Sequence, residues 1–429
     1  MSAPPRPLKR TFSALAVPNF RRWFLGQSTS LVGTWMQSVA QSWLVYSLTH
    51  SATALGAVVA VQTLPVLVLG PYAGVVADRV DKRKLMVALQ GLMGVQALVL
   101  GLLTVFNLVT FWEVLLLAAV LGINNAFENP SRQAFVLEMV GSENVRNAVS
   151  LNSTMVNAAR AVGPAIAGVL IASAGVGICF LVNAASFVAV VYSLTSMELS
   201  TLQLSERAGR AKGQLREGLR YVARNADLGV PLLMMALVGT LAYEFQVSLP
   251  VVAKETFHGG AETYGFLTAA MGVGAVAGGL VTASRGKTGL RPLTVAAFMF
   301  GIAIFFAAAS PALGVEYVAL ALVGWGSVAF LATGNSSLQL ASEPSMRGRV
   351  MSLWSVAFLG STPLGGPLIG WVIALAGARV GLGVGGVSCL LAGAFGLVVL
   401  GKLRATRASA EHGKRSAEGV QEVLAADGA

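Results

Sequence analysis

Apolar positions along this chain fall in long runs separated by short polar stretches. A helix needs about 20 apolar residues to cross the hydrocarbon core of a bilayer, so each run reads as a membrane span. Six spans are expected before residue 198, near 24–48, 54–77, 85–105, 112–130, 148–174 and 176–197. Six more are expected after residue 227, near 228–253, 263–283, 292–310, 315–338, 350–376 and 380–401. The Asn129-Pro130 step should kink or end the fourth span, because proline lacks the N–H that a helix interior uses. The polar segment 198–227 carries six arginines and lysines, and its Leu215, Leu219 and Val222 recur at the spacing of an amphipathic surface helix. The tail from Lys402 is polar and alanine-rich and is expected to be mobile.

Composition agrees with this pattern. The chain is 55% hydrophobic and only 11% charged, where a soluble domain carries about 25% charged residues. The net charge of +11 does not indicate nucleic acid, because the basic residues sit in short loops between spans instead of forming one continuous face. If both termini are cytoplasmic, Lys254, Arg379 and the mid-span Arg160 are the exceptions among 30 Lys and Arg; the others fall in the tails and cytoplasmic loops. The expected architecture is therefore an all-α membrane protein of twelve transmembrane helices. It divides into an N-terminal tail (1–19), a six-helix bundle (20–197), a cytoplasmic linker (198–227), a second six-helix bundle (228–402) and a C-terminal tail (403–429). Both termini are cytoplasmic in this scheme, and the protein is a multi-pass resident of the plasma membrane.

The halves echo each other. Arg146-Asn-Ala-Val149-Ser-Leu151 is followed by Gly163-Pro164 and Gly168; about 200 residues later Arg347-Gly-Arg-Val350-Met-Ser-Leu353 is followed by Gly366-Pro367 and Gly370. This is the parallel repeat of two bundles related by an axis along the membrane normal. The charged hairpin Gly74-Val-Val-Ala-Asp78-Arg79-Val-Asp81-Lys82-Arg83-Lys84 has a faded counterpart at Ser284–Arg291, basic but without the acid.

Chemistry-bearing residues inside spans are few. Gln27, Ser30, Thr34, Gln37 and Gln41 repeat at 3, 4, 3, 4 on the first helix, one continuous polar stripe. It suits the lining of a cavity; hydrogen bonding between helices is the plainer alternative. Asn124, Asn125 and Glu128 on the fourth span, Tyr243, Glu244 and Gln246 on the seventh, and Trp325, Asn335 and Gln339 on the tenth join the set. Glu113, Glu255, Glu262 and Glu316 are expected at or outside the outer interface, and Glu128 near the cytoplasmic end, which leaves Glu244 as the candidate for proton coupling. Arg160 is either paired structurally or placed to attract an anionic group on a substrate. Gly286-Lys287-Thr288 ends like a phosphate loop, but Val281 stands where its first glycine would be and no strand precedes it. Three histidines in loops and tail (His50, His258, His412) and two in-span cysteines give no metal-ligand spacing. No metal, no cofactor and no enzyme chemistry are expected.

The Gly74–Lys84 stretch resembles the loop signature of the major facilitator superfamily, with Gly74, Asp78, Arg79, Arg83 and Lys84 in place. Asn129-Pro-Ser-Arg132-Gln-Ala-Phe135, Asn147–Leu151 and Ala159-Arg160-Ala-Val-Gly163-Pro164 are similar to the branch that holds the enterobactin exporter and macrolide-efflux carriers. The fifth-helix efflux pattern G-x-x-x-G-P-x-x-G-G is met with Ala at 159 and at 167. The resemblance implies two bundles rocking about a central site lined by helices one, four, seven and ten. It also implies export of a small molecule, commonly in exchange for protons, with the proton gradient as energy source. Import or lipid translocation is the alternative within transport, and a non-transporting sensor or accessory subunit the alternative outside it. The expected partners are a small-molecule substrate, protons and the lipid bilayer, with the chain acting as a monomer. On this reading Gly70 and Gly74 let the eleventh helix approach, and Asp78 latches against that helix's N-terminus when the cytoplasmic side closes. Arg79 or Arg83 would pair with Glu128, with Arg132 one turn on. Gly163, Pro164, Gly168, Gly366, Pro367 and Gly370 are expected to serve as closely packed hinges.

Overall fold

The computed structural model describes residues 12–203, 214–344 and 346–427, apart from the side chains of a few of them, Asp78 included. The described chain is almost wholly helical, without strands, because apolar segments in a bilayer can satisfy their backbone groups only within helices or closed barrels. The helices are α1 (Pro18–Thr49), α2 (Ala52–Arg79), α3 (Lys82–Val105), α4 (Phe111–Gly141), α5 (Glu143–Ala174) and α6 (Val176–Thr195), then α7 (Ala226–Thr256), α8 (Ala261–Arg285), α9 (Leu290–Ala308), α10 (Leu313–Ala341), α11 (Arg347–Ala376) and α12 (Ala378–Asp427). Among the described residues, eleven helices are long and apolar enough to cross a membrane. The exception is α1, which has 32 residues but is diluted by its polar stripe.

Three elements depart from the expected pattern. Pro130 does not end α4; helix continues to Gly141, where φ is 70° and ψ 175°. Two hydrogen bonds support the backbone beside the proline: Asn129 Nδ2 donates to the Asn125 carbonyl at 3.0 Å and Ser131 Oγ to that of Phe127 at 2.7 Å. The extension is held because Phe135, Val136, Met139 and Val140 bury an apolar face against Phe20, Trp23 and Met86. The left-handed turn at Gly141 then redirects the chain into α5. The seventh span is broken: Ala226–Leu241 stops, Phe245–Val251 resumes, and a wide turn closes it at Val252–Thr256. Finally, α12 continues as helix to Asp427, so the expected mobile tail begins as an extension of that helix.

The surface helix of the linker is Gln214–Ala223. It packs against the start of α11, where Glu217 and Arg349 form an ion pair at 2.7 Å and the Glu343 amide donates to the Tyr221 hydroxyl at 3.3 Å. Between the helices before the linker and those after it run two seams. In one, α2 lies on the second part of α11, Thr362–Ala376, which follows a break after Leu359; in the other, α5 lies on α8. Both are built from glycines. A Cβ on Gly56 would meet the Gly366 carbonyl oxygen at 2.4 Å, and one on Gly272 would meet the Ala161 Cα at 2.6 Å. Without side chains the backbones approach closely enough for dispersion to hold them.

Candidate functional site

Both seams lie toward the end of the molecule that carries His50, Gly175 and His258, called here the His50 end. Side chains add to the closure. Tyr46 donates its hydroxyl to Glu255 Oε1 at 2.5 Å, and the Trp43 ring stacks near Tyr264 with centroids 6.5 Å apart. At the opposite end, which carries Arg79 and Arg285, space is open around the Gly70 Cα. In this conformation α11 meets α2 four turns away, at Gly56 against Gly366 and Pro367; the approach at Gly70 is expected only when the Arg79 end closes. Of the glycines expected as hinges, Gly168 abuts Gly265 of α8 and Gly370 abuts Ala52 of α2 at the seams, while Gly163 abuts Trp35 and Val32 of α1 within the first half.

The stripe on α1 faces inward. Gln27, Gln37 and Gln41 are buried. Gln37 donates Nε2 to Gln96 Oε1 at 3.0 Å and accepts from Asn183 Nδ2 at 2.6 Å, while Gln41 donates to Gln62 Oε1 at 3.0 Å. So the two readings of the stripe coexist, because the bonded glutamines also border a cavity of about 170 Å³. Its walls include the expected Thr34, Gln37, Gln41, Asn125 and Gln246. Gln62, Gln96 and Asn183 add further polar groups and were missed from sequence, and Trp35, Met93, Leu121 and Phe187 supply apolar wall. Each of the three polar residues lies within an apolar span, which is a usable signal, but none belongs to a stripe. Arg160 does not line this cavity; its guanidinium carbon lies 4.9 Å from the centroid of Trp35, which does, a cation–π contact.

Other expected residues lie elsewhere. Asn124 is buried on α4, with both amide atoms unpaired among the described residues. Tyr243 is a core residue: its hydroxyl donates to the Ser327 carbonyl at 2.8 Å and its ring contacts Phe300 and Phe358. Trp325 lines a separate cleft between α8, α9 and α10. Asn335 accepts from the exposed Gln339 at 2.5 Å near the end of α10. Glu316, expected at the outer interface, is fully buried in the first turn of α10.

Glu244 sits in the break of α7, as the residue that precedes the helix Phe245–Val251. It is 3% exposed and its Oε1 has no hydrogen-bond partner among the described residues. Its carboxylate rests against Gly365 and Gly366, where a Cβ on Gly365 would come within 2.8 Å of Oε1. Gly366 is also the residue that Gly56 of α2 meets. The acid is thus next to a seam that must part if the His50 end is to open.

The charged hairpin is wired differently from expectation. Neither Arg79 nor Arg83 reaches Glu128; Arg132 does, with Nε 3.0 Å from Oε1 one turn along α4, and Gln90 also donates to that carboxylate at 3.3 Å. Arg83 caps α6 by donating to the carbonyls of Leu194 at 2.6 Å and Thr195 at 2.8 Å. Lys82 forms a 2.6 Å ion pair with buried Glu138. Asp81 accepts from the Lys84 amide at 3.0 Å and caps α3. Arg79 is exposed at the end of α2, and the Asp78 side chain lies outside the described residues.

Residues 9–427 match the model of the transmembrane secretion effector family, a branch of the major facilitator superfamily. The chain belongs to that family. It is a multi-pass membrane transporter of the plasma membrane, not an enzyme. It is 28% identical to the enterobactin exporter of Shigella boydii over 395 residues, 91% of this chain and 94% of that one. It is 26% identical to the staphyloferrin A transporter of Staphylococcus aureus over 352 residues, 81% of this chain and 88% of the relative. Among solved structures, a bacterial homologue of the iron transporter ferroportin in an inward-facing state aligns with a TM-score of 0.69 at 15% identity, covering 88% of this chain and 98% of that one. A bacterial homologue of the lysosomal transporter Spinster, inward-facing and unoccupied, aligns at 0.67 with 14% identity, covering 92% and 96%.

Proposed function

We infer that this transporter is a proton-coupled exporter of a small amphipathic molecule (a drug, siderophore or metabolite) working by alternating access. The observation that carries the reading is the polar cavity of Thr34, Gln37, Gln41, Asn125 and Gln246. It draws on both sides of the linker, in a molecule whose two seams close the His50 end. A site between two rocking halves that is closed at one end is what alternating access requires. The lysine and arginine distribution supports the Arg79 end as cytoplasmic. On that assignment α1 is the twelfth membrane helix, both termini are cytoplasmic, and 20–197 and 228–402 are the two moving bundles. The conformation described is then inward-open, ready to load from the cytoplasm. The name of one relative, an enterobactin exporter, favours export over import.

Glu244 is the proton-coupling residue in this reading. It adjoins both the break in α7 and the α2–α11 seam, so opening the His50 end would bring water to it. The carrier needs no cofactor beyond the proton gradient and works as a monomer. The test is flux in proteoliposomes with an imposed pH gradient, using candidate siderophores and amphipathic drugs. Wild type should move cargo against its gradient when protons run down theirs, and Glu244→Gln should lose the proton-driven component while still exchanging cargo. Full proton-driven flux in Glu244→Gln removes the residue from the role. Uptake with the opposite vectoriality supports an importer, and no substrate-dependent flux with any cargo supports a sensor or accessory subunit.

A further inference from the structure

The two repeat-related hairpins at the Arg79 end use their charges in opposite ways. In the first, Lys82 is bound to Glu138, Arg83 to two carbonyls of α6, and Asp81 to the Lys84 amide. In the second, Ser284–Arg291, no acid is present. Its Arg285, Lys287 and Arg291 make no ion pair or hydrogen bond with their side chains among the described residues. The loop that carries them is nevertheless fixed. Gly286 turns in the left-handed region to end α8, and the Gly289 amide donates to Ser337 Oγ of α10 at 2.7 Å.

These three cations edge a cleft of about 620 Å³. It exists because α8 and α9 each pack along α10 but barely touch one another. Its floor is Trp325, Ala329 and Thr333 of α10, and one wall is Val295, Ala296 and Met299 of α9. Val295 is 52% exposed and Met299 46%, and the same apolar surface continues over Ile302. No carboxylate lines the cleft. A cationic edge at the end of the helices above an apolar trough that opens sideways matches an anionic headgroup carrying acyl chains, with the phosphate level with the cations and a chain on Trp325.

We propose that this cleft is a binding site for an anionic phospholipid of the leaflet at the Arg79 end. The three cations hold the phosphate and the α9 wall takes an acyl chain. The site requires only that the chain lie in a bilayer and does not depend on the cargo or its coupling ion. Binding of one such lipid would brace the end of α8, the helix whose other part forms the seam with α5.

The full-length protein, purified in detergent and supplied with phosphatidylglycerol or phosphatidylcholine, is examined by native mass spectrometry. Wild type should retain one phosphatidylglycerol in preference to phosphatidylcholine. Arg285→Gln/Lys287→Gln/Arg291→Gln should weaken that retention by about fivefold per cation removed. The lysine-for-arginine pair Arg285→Lys/Arg291→Lys should retain it. Ala329→Trp, which fills the floor without changing charge, should also weaken it. Monodispersity on size exclusion checks that each variant is folded, and the single substitution Lys287→Gln reads the charge dependence should the glutamine triple fail that check. Equal retention of both lipids, an unchanged glutamine triple in a folded protein, or full competition by millimolar inorganic phosphate overturns the proposal, the last because it marks a free-anion site.

Discussion

The residue-scale pairing most worth testing is Lys82 with Glu138. The two side chains are 10% and 4% exposed and their charged atoms are 2.6 Å apart. Removing one partner of a largely buried pair leaves the other uncompensated, which costs about 3–5 kcal/mol, whereas removing both costs much less. Glu138→Ala should therefore lower the melting temperature of the purified protein substantially, and Lys82→Ala/Glu138→Ala should recover a good part of the loss. A double variant as unstable as the single one would show that the Glu138 side chain acts through contacts other than Lys82. Sequence reading could not assign this pair because its members are 56 positions apart. Their meeting depends on α4 running past Pro130. The glutamine stripe was legible for the opposite reason: its 3, 4, 3, 4 spacing is a property of one helix and needs no partner to be seen. Gln62, Gln96 and Asn183 join that stripe only when three other helices are packed around it.

At the scale of elements, run length and loop charge located the helices to within a few residues, and failed where the packing partner decides the outcome. A proline reads as a stop, yet α4 passes through Pro130 because the next turns bury Phe135 and Met139. The apolar run of the seventh span hides a break, because apolarity does not register where helical hydrogen bonding stops. Glycines were legible as close-packing residues but not their partners: in this conformation, open at the Arg79 end, the space at Gly70 is empty, and the notches in use are Gly56, Gly168, Gly272 and Gly370. This separates two kinds of glycine by experiment. A Cβ on Gly56 or Gly370 would press on backbone across the α2–α11 seam, at 2.4 Å from the Gly366 oxygen and 2.5 Å from the Ala52 oxygen. A Cβ on Gly274 would press on the Ala321 oxygen at 1.8 Å, between α8 and α10, away from either seam. Gly56→Ala and Gly370→Ala should shift the molecule toward the state open at the His50 end with modest loss of stability. Gly274→Ala should lower the melting temperature and leave the conformational balance in place. Thermal melts combined with cysteine accessibility at the His50 end read both quantities, and an identical response from all three variants would contradict the distinction.

For the whole molecule, the question is what holds the His50 end shut. The seams contribute dispersion, which is lost gradually as surfaces part. Tyr46 and Glu255 contribute a single directional contact between α1 and α7, with the phenol donating to the carboxylate at 2.5 Å and Tyr46 only 4% exposed. A hydrogen bond to a charged acceptor is worth about 1.5–3 kcal/mol, so breaking this one moves a two-state balance by about tenfold or more. Tyr46→Phe keeps the ring and removes the donor. It should raise the population open at the His50 end without disturbing the Trp43–Tyr264 stack one turn away. Glu255→Gln keeps an acceptor oxygen and should have a smaller effect. Spin labels at Leu108→Cys and Ala312→Cys, in loops at that end on opposite sides of the linker, report the separation by pulsed electron resonance in a background lacking Cys179 and Cys389. A longer distance component should grow in Tyr46→Phe, less in Glu255→Gln, and should be suppressed when a cargo that stabilises the loaded, closed state is added. An unchanged distance distribution in Tyr46→Phe would assign closure of this end to the glycine seams alone, and the order of the two substitutions tells a hydrogen-bond lock from simple packing.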